Sequence, residues 1–396
     1  MSLPTPAEAR SRMLQALAPL GAEEVPLEAA DGRVLAEPVT AIRDQPPYDA
    51  SAMDGWAVRT VDAVSGAALS IVGESAAGHD AGAHIGPGEA VRIFTGAALP
   101  PGADRVVIQE QARRTGMTVV LDDLADAPAY VRPRGGDFRA QDGLLEAGLR
   151  LNPWRIALAA SAGRATVTCT SRPRVGLLST GDELVAPGDA AGDRHIYDTC
   201  TPALAAFIAR CGGLPVALPR ARDTDAAILE AVASRPFDLL VTIGGASVGD
   251  HDRVKPALKS AGAQLVVEGI AVRPGKPTWF GHLGDGRPVL GLPGNPASAL
   301  VCAELFLAPV LAGLQGIAWA EPLEAAILDT DLPANGPREH YMRALVSEGR
   351  VRVLNDQDSS LVTVMAAANA LVRRLPHAPP LAAGAKVHVT RPIWAT

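Results

Sequence analysis

Residues 244–252 read GGASVGDHD, a glycine-rich turn that carries two aspartates. Because glycine has no side chain, backbone N–H groups in such a turn approach a phosphate closely, and a following helix adds its positive end. Carboxylates repel phosphate unless a divalent cation lies between them, and Mg²⁺ is usually held by oxygen ligands beside substrate phosphates. Asp250 and Asp252 therefore predict a magnesium-dependent phosphate site, with His251 as a surface or supporting residue rather than a ligand.

Two further turns carry groups suited to such a site. The sequence STGDEL at 179–184 follows a buried apolar run and holds Asp182 and Glu183. It is either a solvated acidic turn or a pair of carboxylates beside a ligand. The sequence LPGNP at 292–296 predicts a helix start, with Asn295 as the cap and Pro296 at the first helical position. A capping role does not explain why so rigid a turn lies at the same end of the predicted sheet as the other two turns.

A local positive site is predicted at 273–277, RPGKP, where Arg273 and Lys276 lie on a loop stiffened by two prolines. The whole chain has a net charge of −7, which gives no general attraction to nucleic acid or to an anionic membrane. An anionic substrate would therefore need a local site of this kind.

The elements that must position these turns alternate between strand and helix over 172–313. The runs at 174–179, 238–243 and 288–292 are short and apolar, as in parallel strands buried on both faces. The alternation predicts a doubly wound α/β domain, and ligands of such sheets bind beyond the carboxyl ends of the strands. All three turns follow such ends.

The rest of the chain has a different sequence pattern. Thr5 to Glu8 has the spacing of a capping box at the start of a helix. Short alternating runs between Gly, Pro and Asp clusters predict a small all-β domain over 46–139. The same strand-like pattern returns after about 320, with one helix predicted near 361–374. On chemistry alone, SAMDGWA at 51–57 and FTGAALPPGAD at 94–104 are turns.

Composition restricts the class of protein. A chain of 396 residues with 48% hydrophobic and 20% charged residues is a globular protein of several domains. The four cysteines show no zinc or disulfide pattern, and the N-terminus has no signal-peptide pattern, so we expect a reduced, cytoplasmic compartment. The apolar stretch at 296–314 approaches membrane length, but it starts with a helix cap and contains Glu304 and Pro309, which favours a buried helix.

Together and in this order, seven motifs resemble the molybdopterin molybdenumtransferase family, the MoeA-like proteins and the C-terminal domain of gephyrin. They are SAMDGWA (51–57), FTGAALPPGADRVV (94–107), STGDEL (179–184), the aspartate of RDT (222–224), GGASVGDHD (244–252), RPGKP (273–277) and LPGNPASA (292–299). The resemblance implies a MoaB/Mog-like α/β domain with an inserted β domain, a helical-strand stalk and a C-terminal β-barrel. It predicts the segments 1–45 with 140–171 (stalk), 46–139 (β domain), 172–317 (α/β domain) and 318–396 (barrel).

The same resemblance implies that molybdate and adenylylated molybdopterin react, with Mg²⁺, to give molybdenum cofactor and AMP. It implies a homodimer in which the β domain of one subunit completes the site of the other. Positions matching functional residues of the family are Asp54, Thr95, Asp137, Glu183, Asp223, Asp252 and Lys276. The molybdate pocket maps onto Arg273, Lys276, Ser298, Arg343 and Ser359, with Arg338 as a competitor for the role of Arg343. The phosphate-binding turns are Gly244, Gly245, Ser247, Gly249, Pro293, Gly294, Asn295 and Pro296, and the candidate Mg²⁺ ligands are Glu183, Asp250 and Asp252.

Five positions depart from the family's usual residues. Arg273 stands for lysine, Trp56 for tyrosine, Ala246 for valine, Cys200 for asparagine and Asp358 for glycine. None of these changes removes a carboxylate or a cation from the expected site.

Two other functions stay open. One is the molybdopterin adenylyltransferase reaction, although those proteins are about one domain long and carry a GGTG-type turn. The other is a gephyrin-like binding scaffold, which would not require the acidic and basic residues present here. The adenylyltransferase itself is a candidate partner that hands over the substrate. The sequence does not distinguish molybdate from tungstate or identify the recipient molybdoenzymes.

Overall fold

The computed structural model describes residues 3–79, 82, 84–124, 127–244 and 253–393. The helices have the bounds α1 Pro6–Gln15, α2 Pro153–Ser161, α3 Cys200–Arg210, α4 Asp225–Ala233, α5 Val254–Ser260, α6 Pro296–Leu314 and α7 Val362–Ala367. Helix α6 has a π-helical segment at Ala303–Leu307. Of the described helices, α6 alone is long and apolar enough to cross a membrane, but 89% of it is buried inside the molecule. The prediction of a buried helix is confirmed.

Helix α1 begins as the sequence predicts. The Thr5 side chain accepts a hydrogen bond from the N–H of Glu8, and the Glu8 carboxylate accepts one from the N–H of Thr5. This reciprocal pair is the capping box. Met13 is fully buried in the same apolar core as Leu311 of α6, so the N-terminal helix packs on the long helix of the α/β domain.

The N-terminal strands form a stalk and an inserted sheet. They are β1 Ala22–Pro26, β2 Val39–Thr40, β3 Ala50–Ser51, β4 Gly55–Val58, β5 Ala68–Ser75, β6 Glu89–Ile93, β7 Arg105–Ile108, β8 Ala112–Thr115, β9 Thr118–Leu121, β10 Val131–Arg132, β11 Gly143–Leu145 and β12 Thr166–Thr170. Strand β1 pairs with β12 and β2 with β11, while β7-β4-β6-β5-β9-β8 form a six-stranded sheet between them. The predicted all-β insertion in a stalk is confirmed.

The inserted sheet buries apolar side chains on both faces. Along β4, Trp56 and Val58 enter one core and Ala57 enters the other. This alternation follows from the two-residue period of a strand. The sheet is therefore a small domain with cores of its own.

The second six-stranded sheet has the order β16-β13-β17-β21-β20-β18. Its strands are β13 Arg174–Ser179, β16 Leu214–Ala217, β17 Leu239–Ile243, β18 Gln264–Val267, β20 Trp279–His282 and β21 Pro288–Leu292. Two short strands, β14 Leu184–Val185 and β15 Ile196–Tyr197, pair outside it. The first four strands in the sheet order are parallel, and β20 and β18 are an antiparallel extension.

Helices cover both faces of this sheet, as a doubly wound fold requires. Helices α3 and α6 share a core with Leu177 and Val241, and α4 and α5 share one with Leu178 and Leu240. Helix α3 begins at Cys200, two residues before Pro202. The hydroxyl and N–H of Thr201 donate to Asp198, so Thr201 lies in the first turn and does not cap it.

The C-terminal strands close into a barrel. They are β22 Leu323–Leu328, β23 Glu339–Ser347, β24 Arg350–Val353, β25 Ala370–Arg374 and β26 Lys386–Thr390. Strand β23 pairs with both β24 and β25, which completes the ring β23-β24-β22-β26-β25. The predicted helix near 361–374 is only half right, because α7 ends at Ala367 and β25 follows.

One strand crosses between the α/β domain and the barrel. The two-residue strand β19, Val272–Arg273, leaves the α/β domain and pairs in parallel with the start of β23. The loop with the predicted cations is thus bonded to the barrel. The boundaries of the predicted segments stay a prediction.

Candidate active site

The ends of three strands that precede singled-out turns lie side by side at one edge of the α/β sheet. Ser179 at the end of β13 is opposite Ile243 of β17, and Ile243 is opposite Leu292 of β21. The carboxyl ends of these three strands are therefore neighbours. From β13 the chain moves first outward to β16 and then inward to β17, so the crevice between β13 and β17 is the switch point where such sheets bind ligands.

Glycines bring two of these turns into contact. A Cβ atom added to Gly294 would lie 3.4 Å from the Cα of Gly244, so the two backbones lie close together with little room for a side chain between them. Gly244 has a φ of +84°, a conformation that favours glycine, and its N–H donates to Leu292 at 3.2 Å. The Sγ of Cys200 lies 3.9 Å from the carbonyl oxygen of Gly294. A ligand at this edge would meet backbone rather than bulky side chains.

Two of the predicted carboxylates lie at the same edge. Glu183 is exposed, and its carboxylate lies over Gly181, where an added Cβ would be 2.8 Å from both carboxylate oxygens. Asp223 lies two residues beyond Ala221, which forms a parallel bridge with Thr180. The structure thus places Glu183 and Asp223 on adjacent loops at the carboxyl ends of β13 and β16.

Several predicted ligands lie outside the described residues. They are Asp250 and Asp252 of the metal site and Gly245, Ser247 and Gly249 of the phosphate turn. Within the described residues, no group of three or more His, Cys, Asp or Glu side chains has a metal-binding arrangement. Glu183 is the one candidate metal ligand with a described position, so the magnesium site stays a prediction.

Asn295 does not cap α6 with its side chain, which corrects the sequence prediction. It precedes Pro296 at the start of the helix, but its amide donates to the hydroxyl of Ser359 at 2.9 Å. The N–H of Ala297 donates to the carbonyl of the same serine at 3.1 Å. The buried Ser298 follows in the first turn. Tertiary contact with the barrel segment has replaced the local cap, and it brings Ser298 and Ser359 together.

The cationic loop is packed on the same helix. Gly275 has a φ of +110°, and a Cβ added to it would lie 2.1 Å from the Sγ of Cys302, one turn and a half into α6. The hydroxyl of Thr278 donates to the carbonyl of Gly275 at 2.8 Å and also contacts Cys302 at 3.2 Å. Arg273 and Lys276 on this loop are both exposed. The loop thus carries two cations held close to the start of α6.

Arg343 completes this region from the barrel. It is fully buried, and one Nη donates to the carbonyl of Asp358 at 3.1 Å. Its Nε and other Nη are buried and have no hydrogen-bond partner among the described residues. Burial lowers the pKa of Arg343 from its usual value, whereas Asp356 and Asp358 nearby act to raise it. A guanidinium with two free donors in a buried position is a group ready to receive an anion.

We call the set around the first two turns of α6 the oxyanion pocket. Its members are the five predicted residues Arg273, Lys276, Ser298, Arg343 and Ser359. They come from β19 and the loop after it, from α6, from β23 and from the segment before α7. The contacts above join β19 to β23 and bring the loop of Gly275 and the segment of Ser359 against α6. The structure brings together residues that the sequence separates widely.

Asp54 and Thr95 form a pair in the inserted β domain. The N–H and the hydroxyl of Thr95 both donate to one carboxylate oxygen of Asp54 at 2.8 Å. These two bonds, with a smaller effect of Arg92, hold the pKa of Asp54 below its usual value. Asp137 is exposed, and its N–H donates to Gln45 at 2.9 Å. The turns at 51–57 and 94–104 are therefore joined by hydrogen bonds.

Within one chain this pair is not bonded to the α/β sheet in the described residues. In that part of the chain, no hydrogen bond or ion pair joins Asp54, Thr95 or Asp137 to the strand ends or to the oxyanion pocket.

Three family models match the chain in succession. The MoeA N-terminal region, domains I and II, matches residues 5–163, a probable molybdopterin binding domain matches 176–313, and the MoeA C-terminal region, domain IV, matches 325–391. The molybdopterin molybdenumtransferase of Nostoc sp. is 38% identical over 332 residues, which is 81% of this chain and 76% of that protein. This chain belongs to the MoeA family.

A second curated relative and a solved structure agree with this assignment over nearly the whole length. Molybdopterin molybdenumtransferase 2 of Mycobacterium tuberculosis is 33% identical over 398 residues, 96% of each chain. The crystal structure of a molybdopterin biosynthesis MoeA protein from Pyrococcus horikosii superimposes with a TM-score of 0.85 at 30% identity, covering 98% of this chain and 99% of that one. The MoeA fold therefore extends over all four predicted segments.

The departures from usual MoeA residues are accommodated locally. The guanidinium of Arg92 lies over the Trp56 ring, 5.3 Å from its centroid. Asp358, where glycine is usual, is absent from the residues with positive φ, so this turn does not need glycine. Its carboxylate accepts hydrogen bonds from the N–H and hydroxyl of Ser360 at 2.8 and 2.6 Å. The Asp358 side chain thus stabilises the turn next to Ser359.

Sequence reasoning missed His340 in this MoeA chain. It is buried on β23, beside Arg273 of β19 in the parallel register. The signal was present, because Arg338 and His340 are two residues apart and a strand places such residues on one face. The sequence did not indicate that β19 pairs with a strand of the barrel.

Proposed function

We propose that this chain inserts molybdenum from molybdate into adenylylated molybdopterin and releases molybdenum cofactor and AMP. The curated relatives are named molybdopterin molybdenumtransferase. The observation that carries the proposal is the oxyanion pocket, in which the buried Arg343 has two donors without a partner. Molybdate is a tetrahedral dianion that needs several cationic and hydroxyl donors at once, and the pocket supplies them.

Each pocket residue has a role in this proposal. Arg273 and Lys276 attract the dianion at the exposed side, and Arg343 donates from the buried side. The hydroxyls of Ser298 and Ser359 donate to the remaining oxygens. Arg273 keeps the charge of the usual lysine but presents a planar fork of donors, which suits two oxygens of one anion.

The nucleotide part of the substrate is proposed to lie at the switch point. The backbones of Gly244 and Gly294 border it, and the turns on either side supply N–H groups to the phosphates. Glu183, with Asp250 and Asp252, is proposed to hold Mg²⁺, since exposed carboxylate oxygens are the ligand type that this ion takes beside phosphate. Bound Mg²⁺ would neutralise the bridging phosphates and polarise the phosphoanhydride.

Asp54, Thr95 and Asp137 are proposed to act in a homodimer. In the described residues they form no hydrogen bond or ion pair with the α/β sheet of their own subunit, and we propose that they complete the site of the partner subunit. We propose that the chain works in the cytoplasm and receives its substrate from the molybdopterin adenylyltransferase.

The test is conversion of adenylylated molybdopterin by the purified chain with molybdate and Mg²⁺, followed as AMP release. Asp252→Ala should abolish AMP release while the oligomeric state is unchanged. Glu146→Ala, an exposed carboxylate on the stalk, is the matched control and should keep full activity. Full activity of Asp252→Ala would contradict the assignment of Asp252. Conversion of ATP with metal-free molybdopterin would instead indicate the adenylyltransferase reaction.

A further inference from the structure

His340 lies in a row of basic residues that crosses three strands. In the parallel register it is opposite Arg273 of β19, and in the antiparallel register it is opposite Arg374 of β25. Directly opposite residues project from the same face of a sheet, with Cβ atoms about 5 Å apart. His340 is 6% exposed and Arg374 is 4% exposed. An imidazole is thus buried between two guanidinium-bearing positions.

The nearby carboxylates are those of Asp356 and Asp358, which act on Arg343 without forming an ion pair with it in the described residues. Arg338, Arg343 and Arg374 donate to the backbone carbonyls of Val272, Asp358 and Pro379, respectively. In the part of the chain that the structure describes, none of these arginines forms an ion pair, and the side chain of Arg273 forms neither an ion pair nor a hydrogen bond. An excess of positive charge therefore surrounds a group that can itself take up a proton.

The arginine cluster favours the neutral form of His340. Burial is the largest cause, and Arg273, Arg343, Arg338 and Arg374 act in the same direction, so that the pKa of His340 falls to about 4. A dianion beside Arg273 and Arg343 would cancel most of this repulsion, because two of the four arginines named are members of the oxyanion pocket. The protonated imidazole would then no longer be disfavoured by its neighbours.

We propose that His340 is the proton-linked residue of the oxyanion pocket: it takes up one proton from solvent when a tetrahedral dianion binds, and it returns that proton when the anion leaves. The inference rests on the proposed function, which assigns the pocket to molybdate. In this scheme His340 does not touch the anion. It adjusts the net charge of the pocket to match an occupied or an empty state.

The size of the effect follows from proton linkage. If the bound anion returns the pKa of His340 to an ordinary value of about 6.5, binding at pH 6.5 takes up about half a proton. Molybdate should then bind roughly fourfold more tightly at pH 6.0 than at pH 7.5.

The experiment is calorimetric titration of the full chain with molybdate below millimolar concentration at pH 6.5. Two buffers of different ionisation enthalpy give the number of protons taken up. We expect about half a proton in the wild type and none in His340→Gln, with the pH dependence of the Kd also lost. His388→Gln is the matched control, an exposed histidine on the same barrel that should leave the proton uptake unchanged. The imidazole ¹H–¹⁵N signals of the wild type report the His340 pKa with and without molybdate, so the test does not depend on the folding of a variant.

Failures of this inference and of the proposed function are distinguishable. Molybdate binding that Arg343→Gln abolishes, but that takes up no proton in the wild type, overturns the role of His340 and leaves the pocket in place. Proton uptake that persists in His340→Gln also overturns it. Binding that Arg343→Gln does not weaken overturns the pocket assignment of the proposed function. Uptake in the wild type that disappears only in His340→Gln supports the inference.

Discussion

Replacement of Gly275 by alanine should push the cationic loop away from α6. The new Cβ would lie 2.1 Å from the Sγ of Cys302, whereas ordinary contact begins at about 3.5 Å, so the loop must move by about 1.4 Å. Overpacking of this kind costs about 1–3 kcal/mol. The φ of +110° at Gly275 adds backbone strain of about 1–3 kcal/mol. We expect a local destabilisation of about 2–6 kcal/mol and loss of molybdate affinity.

Two further variants separate the steric term from the backbone term. Gly286 has a φ of +85° and no atom within 4 Å of an added Cβ, so Gly286→Ala carries the backbone strain alone. In a Gly275→Ala, Cys302→Ala double variant the nearest atoms would be those of Thr278 and Val272 at 3.5 Å, an ordinary contact. The double variant should therefore regain the steric part of the loss and keep the strain.

The measurement is hydrogen–deuterium exchange of peptides covering 270–282, which reports local opening even when a protein of several domains does not unfold in one step. In Gly275→Ala the exchange of these peptides should be faster than in the wild type, by about tenfold for each 1.4 kcal/mol of local destabilisation. In the double variant with Cys302→Ala the exchange should be slower again. The steric explanation is wrong if Gly275→Ala increases exchange in its loop no more than Gly286→Ala does at its own turn. It is also wrong if the double variant that lacks the Sγ of Cys302 exchanges as fast as Gly275→Ala.

Three other substitutions have definite expected outcomes. Thr95→Val keeps the N–H bond to Asp54 but removes the hydroxyl bond, so the Asp54 pKa measured by NMR should rise part of the way to its usual value, and AMP release should fall without loss of folding. Glu304 is buried and its pKa is raised to about 7, so its effect on stability is most favourable below pH 4.5 and is lost as the pH rises through 7. Glu304→Gln should therefore have a higher Tm than the wild type at pH 8 and little advantage at pH 5; equal Tm values at both would contradict this. Asn295→Ala should cost about 1 kcal/mol of local stability, and the loss should be coupled to that of Ser359→Ala in a double-mutant cycle; additive effects would argue against the Asn295–Ser359 bond.

The sequence predicted the fold well because the determining signals are local. Parallel strands buried on both faces appear as continuous apolar runs, and the capping box at Thr5 depends on residues three apart. The carboxyl ends of β13, β17 and β21 could be placed together from topology alone, since right-handed crossovers leave few alternatives. The family motifs added the stalk, the inserted domain and the barrel, which no single periodicity distinguishes.

The errors occurred where a tertiary contact competed with a local preference. Asn295 is well suited to cap α6, yet its amide donates to Ser359, which lies far along the chain. The segment after α7 has enough alanine to favour helix, but closing the barrel requires β25 there. In both cases the decisive partner belongs to the barrel, and local sequence carries no information about which distant segment will be adjacent.

The oxyanion pocket shows why its chemistry could not be read from residue types alone. A surface arginine pairs readily with water or a carboxylate, so its presence in a sequence says little about function. Arg343 differs because folding removes it from water and leaves two of its donors without a partner. Such a group costs several kcal/mol when it is uncompensated, and the low pKa of the nearby His340 is a second sign of the same unbalanced charge. If this pocket binds a dianion, as we propose, both costs should fall on binding, and part of the binding free energy would come from positive charge that the fold leaves unsatisfied. The pocket should therefore bind molybdate, a tetrahedral dianion, more tightly than perchlorate, a monoanion of the same shape. The ratio of the two Kd values should be larger than the ratio of the two charges. Equal Kd values would show that the pocket holds no such unsatisfied charge.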